Sequence, residues 1–201
     1  MPTIYKLESV RYRSRHFDPA AMNALRSQAL AAKGKAMLVV HPLSSESFSS
    51  DESLERTDPW LFRQIMAKDF DAYAARLGRV LKTTSMVPFV LSGENTYDKA
   101  SGWLNGMRLD KHIFIAETDS KDPTPLFSFY SEMSPWDVLA GMMKDVGISN
   151  VFIAGELAYF KNDKNVGCVF SVREQLSPHI PVKILHHLTF PGIYSDGTEG
   201  E

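Results

Sequence analysis

Three separate stretches of the chain run into a glutamate in the same way: "FVLSGE" (89–94), "FIAET" (114–118) and "FIAGE" (152–156). Short unbroken apolar runs of this kind suit strands buried on both faces, and such strands belong to parallel sheets. In a parallel sheet every strand delivers its carboxyl end to one rim, where open α/β folds bind their ligands. Glu94, Glu117 and Glu156 are therefore expected along one edge, joined by His41 from "LVVHP" and by His186 and His187 from "ILHHL". Carboxylates gathered with an imidazole could hold a divalent cation through oxygen ligands. They could equally set a protonated acid beside an ionised one for acid/base work. A plainer role also accounts for them, since acids just past a strand accept free amides at the positive end of the next helix. Side chains alternate across a strand, so at most one of His186 and His187 can share a cleft with the glutamates.

The one cysteine, Cys168, lies in "NVGCVFSVREQL", at the expected start of a helix. Amides at a helix N-terminus lower a thiol pKa and can hold an oxyanion, which suits a nucleophile. A free cysteine also serves as a small buried hydrophobe. Catalytic candidates are thus Cys168, His41 and Glu117, and ligand-binding candidates are Glu94, Glu156 and His187. The chain has no GxGxxG, GxxxxGK[ST], GxSxG or HExxH, so no dinucleotide, nucleoside triphosphate, serine hydrolase or zincin signature is present. No resident cofactor is identified by motif.

These residues need strands and helices in alternation to position them. Asp18 and Pro19 open an alanine-rich helix that Gly34 ends. Met37 to Val40 reads as a buried strand, and the Ser/Glu/Asp-rich residues 43–58 as a long loop. From 59 to 82, apolar residues at three- and four-residue steps (Phe62, Met66, Phe70 or Tyr73, Leu77) predict a long amphipathic helix. "VPFVLSGEN", a weaker helix over 97–105 and "HIFIAETDS" follow; "LFSFYSEM" is ambiguous. Ser134-Pro135-Trp136-Asp137 is a helix start with Ser as cap, and Gly147 ends that helix. The strand "NVFIAGE", a polar loop, a short helix over 168–176 and the strand "PVKILHHL" complete the pattern. Apolar strands alternating with amphipathic helices predict an α/β fold: a three-layer αβα sandwich with a mainly parallel sheet of about five strands.

The order of elements resembles the isochorismatase-like cysteine hydrolases, on "GISNVFIAG" (147–155) and "GCV" (167–169). The resemblance implies the same fold and a thiol nucleophile at Cys168. The family's triad also requires an aspartate ending the first strand, where this chain has His41. It requires a lysine just past the third strand, where "FIAETDSK" supplies Glu117 first and Lys121 later. A shared fold with the usual chemistry lost or changed is what these departures imply, and His41 is left as the proton acceptor for Cys168.

Of 201 residues, 44% are hydrophobic and 23% charged, which suits one domain with one substantial core. Net charge is −2, but residues 1–35 carry seven Lys/Arg against two Asp/Glu. That basic segment includes "RYRSRH" (11–16); one short run is weak ground for nucleic-acid binding, and a solvated segment over 1–17 is the expectation. The acidic end, 195–201, is expected to fray. With one cysteine, no signal-peptide pattern and no span of about 20 apolar residues, the expectation is a cytoplasmic protein without a membrane segment. The functional expectation is a hydrolase-like domain handling a small molecule at the carboxyl edge. The alternative is a non-catalytic interaction or scaffold protein, forming a homo-oligomer or using its outer helices or the loop 43–58.

Overall fold

A computed structural model describes residues 3–7, 17–42, 69–93, 96–118, 123–126, 134–156 and 167–190. In chain order the elements are β1 (Ile4–Lys6), α1 (Pro19–Ala31), β2 (Lys35–Val40), α2 (Asp69–Thr83), β3 (Val87–Gly93), α3 (Tyr97–Gly106), β4 (Ile113–Thr118), α4 (Pro135–Asp145), β5 (Asn150–Glu156), α5 (Cys168–Leu176) and β6 (Val182–Phe190). The strands form one sheet in the order β1-β4-β3-β2-β5-β6, and each pairing between strands is parallel.

Local chemistry sets the helix ends. The Asp18 carboxylate accepts from the Ala20 amide at the start of α1, with Pro19 at the first helical position. Past its end, Lys33 and Gly34 both take left-handed backbone (φ 53° and 71°). Gly34 must be glycine, because a Cβ there would lie 2.8 Å from the Gly147 carbonyl oxygen. Ser134 caps α4 in a reciprocal arrangement with Asp137, as its sequence predicts.

Strand order and crossover handedness then place the layers. From β2 the chain steps to β3 and β4 in one direction, and right-handed crossovers put α2 and α3 on one face. It then reverses to β5 and β6 on the far side of β2, so α4 and α5 lie on the other face. The crossover from β1 to β2 runs in that same second direction and brings α1 there too. Side-chain alternation agrees. Leu38 and Val40 pack with Leu25, Leu139 and Val172 under α1, α4 and α5, whereas Met37 and Val39 pack with Tyr73, Leu77 and Leu104 under α2 and α3. The sandwich therefore has three layers and two cores, with β2 buried from Ala36 to Val40.

Among the described residues the sheet has six strands, where the sequence pattern predicts about five. The extra one, β1, falls inside the segment read as basic and solvated; its three residues are too few to show a periodicity and, among the described residues, pair with the edge of β4 (Ile4↔Ile113 to Lys6↔Ile115). At the other edge β6 continues through Phe190, beyond its two histidines. For the helix expected over 59–82, the described part is α2 and residues 59–68 lie outside the described residues, as do the loop at 43–58 and the segment 195–201. No described helix is long and apolar enough to cross a membrane.

The reversal of strand order falls between β2 and β5, and there the two backbones crowd. Gly155 (φ +127°) lies so close to Val40 that a Cβ would sit 2.1 Å from the Val40 carbonyl oxygen. Both the backbone angle and the space exclude a side chain. Gly155→Ala should lower unfolding free energy by more than about 3 kcal/mol, read as a fall in the urea midpoint. A shift below about 1 kcal/mol would show that β5 can back away from β2.

Candidate functional site

A doubly wound sheet opens a crevice at the carboxyl ends of the strands where the order reverses. Here those ends are His41 after β2 and Glu156 in β5; Val40 pairs with Gly155, so the two residues follow at the same level of the sheet. Both are buried, His41 to 4% exposure and Glu156 to 0%.

His41 departs from the strand it ends. Its φ is 45°, a left-handed conformation uncommon outside glycine and costing about 1–3 kcal/mol. Two bonds hold it there: its amide donates to the Leu91 carbonyl at 2.8 Å, and its Nε2 meets the Thr118 hydroxyl at 2.8 Å. Strict alternation would send His41 toward α2 with Met37 and Val39. The left-handed turn redirects the ring across β3 to Thr118, which alternates onto the face where Ala116 packs. Thr118 is itself fixed, forming a bridge to Pro125 while Leu126 donates to the Glu117 carbonyl.

Glu117 points the other way. Its carboxylate pairs with Lys6 Nζ at 2.9 Å, and the same ammonium stands 5.3 Å from the Tyr97 ring centroid at the start of α3. Both charges are partly exposed, so the pair is worth about 0–1 kcal/mol. Glu94 lies outside the described residues. His187 is exposed, and His186 is half-buried. Both occupy a bulge in β6: Ile153 pairs with Ile184 but Gly155 with Thr189, and the Thr189 hydroxyl donates to the His186 carbonyl at 2.7 Å. Simple alternation does not apply through that bulge, and the histidines stop short of the rim that Phe190 reaches. Among the described residues no group of three His, Cys, Asp or Glu is placed to hold a metal ion.

Cys168 is the first residue of α5, as expected, following Gly167 at the cap. It is half-buried and packs against the core under α1, α4 and α5. The Nε2 of His41 is turned toward β4, on the side of β2 away from β5.

Glu156 alternates with Ala154 toward α2, and there the structure supplies a partner that sequence reasoning did not single out. Tyr73 is fully buried, and its hydroxyl has no hydrogen-bond partner among the described residues. Burial pushes the phenol pKa well above its usual range; the negative charge of Glu156 pushes it further, and Arg76 opposes weakly. Phe190 (5.5 Å between ring centroids) and Phe70 (5.9 Å) flank the Tyr73 ring. The only sequence signal was a tyrosine within an otherwise apolar helical stripe. The candidate groups thus divide by face: His41, Thr118 and Cys168 on one side, and Glu156 with Tyr73, and Glu117 with Lys6, on the other.

No family model, curated protein or solved structure matches the chain.

Replacing Thr118 by valine keeps the shape and removes the partner of His41 Nε2, and should cost about 1–3 kcal/mol in chemical denaturation. For His186, burial first and then Arg173, His187 and Lys183 lower the pKa from 6.5. The unfolded chain therefore binds more protons below that value, so stability should fall as pH drops through about 6.5 toward the lower folded value. His186→Gln should flatten that part of a melting-temperature profile, and an unchanged slope would assign it to other groups.

Proposed function

We propose that the protein is a small-molecule hydrolase, or a binding domain of hydrolase type, whose site lies at the β2–β5 reversal on the α2 face. Glu156 serves as the acid/base group and Tyr73 as hydrogen-bond donor to the substrate. The observation that carries this reading is the unpartnered Tyr73 hydroxyl, buried beside a buried carboxyl at the crevice position. An unmade hydrogen bond of this kind costs about 1–3 kcal/mol, and it is retained where a ligand atom completes it. The raised pKa keeps the phenol protonated, so it donates and does not accept a proton from its neighbour. A carboxylate able to activate water, with a neutral O–H aimed at developing negative charge, is a pairing suited to acyl or related hydrolysis. Phe70 and Phe190 supply apolar walls.

The resemblance to isochorismatase-like hydrolases supports the same edge of the sheet but would centre chemistry on Cys168, across the sheet from Glu156. The non-catalytic scaffold reading leaves the Tyr73 hydroxyl without a purpose.

Hydrolysis of p-nitrophenyl acetate by the full chain tests the assignment. Glu156→Gln should lower kcat by roughly 10²–10⁴-fold. Tyr73→Phe should lower it by at least about tenfold while leaving the free protein as stable or more stable, because the orphan hydroxyl is gone. Wild-type turnover in both variants, with loss only in Cys168→Ser, would move the chemistry to the other face. Hydrolysis no faster than buffer would remove the hydrolase reading for this substrate class.

A further inference from the structure

A second concave region lies on the outer side of the same layer, between α2 and α3, remote in character from the buried pair at the crevice. Its volume is about 390 Å³, within the range of small-molecule sites. Three small residues of α2, Ala74, Ala75 and Gly78, leave the helix backbone bare along one strip. Opposite them stand Trp103 in α3 and, one turn on, Met107. The fit is closest at Gly78: a Cβ there would lie 3.5 Å from Met107 Sδ and 3.9 Å from Trp103 Cζ2. Met107 and the indole edge therefore pack over Gly78, and the apolar groove runs beside them over Ala74 and Ala75.

Its rim is cationic. Arg79 and Lys82 line the groove three residues apart on α2 and are both exposed. Among the described residues neither takes part in an ion pair. On a chain whose net charge is −2, two uncompensated cations beside an apolar slot complement a dianion attached to a flat ring. We infer that the α2–α3 groove binds a small aromatic phosphate, with its ring against Trp103 and its phosphate on Arg79 and Lys82. Arg79 can meet two phosphate oxygens through its planar fork, while Lys82 adds a point charge. The inference does not depend on the hydrolytic reading, because none of its residues belongs to the Glu156–Tyr73 pair.

Calorimetric titration of the full chain with 1-naphthyl phosphate tests it, with inorganic phosphate and 1-naphthol as the two half-ligands. Expected is saturable one-to-one binding at least about tenfold tighter than either half-ligand, weakening with added salt. Arg79→Ala and Lys82→Ala, both at exposed positions, should each weaken it by roughly tenfold. Ala75→Leu, at an exposed position lining the groove, should abolish it by filling the floor, and Glu156→Gln should leave it unchanged. Binding no tighter than inorganic phosphate, or equal in Arg79→Ala/Lys82→Ala, would overturn the inference. So would an affinity for anionic phospholipid vesicles without saturable uptake of 1-naphthyl phosphate, which would make the patch a membrane-facing surface.

Discussion

Everything at the carboxyl edge depends on how closely β5 can lie against β2. The two strands touch backbone to backbone where Gly155 passes Val40, an approach that any side chain would block. That contact lies at the point where the winding of the chain reverses, the position at which doubly wound sheets bind their ligands. The neighbouring register shifts at the same level, where β6 bulges over 185–188 beside Ile153 to Gly155. The steric demand at Gly155 thus coincides with both the reversal of strand order and the bulge that displaces His186 and His187 from the rim.

Much of the architecture was legible because its signals are local and redundant. The apolar runs that became β2 to β6, the Asp18 and Ser134 caps and the start of α5 at Cys168 each announce themselves within about ten residues. Strand β1 was not legible, because three residues cannot display a period and its stability comes from β4, more than a hundred residues away. The site was legible only as a list of candidates at an edge. Sequence spacing brings Glu117 and Glu156 to the same rim, yet cannot say that Lys6 engages the first, since that contact again requires β1. Nor does alternation reveal that His41 turns left-handed and reaches Thr118. Tyr73 was hidden for a different reason: in a helical stripe its ring reads as core, and only the lack of a partner for its oxygen marks it.

The two faces of the edge hold chemically different groups. On the face of α1, α4 and α5 the imidazole of His41 is met by the Thr118 hydroxyl. Toward α2, a carboxyl and a phenol are buried with the phenol still lacking an acceptor. Satisfied buried groups stiffen a fold, whereas an unsatisfied one is a liability that structure alone does not repay. This contrast, more than the number of polar residues on each side, directs attention to Glu156 and Tyr73.

The three-residue strand β1 has a consequence for how the molecule is made. It precedes the other described elements in the chain, but the strand it pairs with among the described residues, β4, begins at Ile113. Until more than a hundred further residues have been synthesised, Ile4–Lys6 has no edge to join, and closing so long a loop is entropically costly. Strand β1 therefore docks later than its place in the chain suggests, and the Lys6–Glu117 ion pair marks that late step rather than the beginning of assembly.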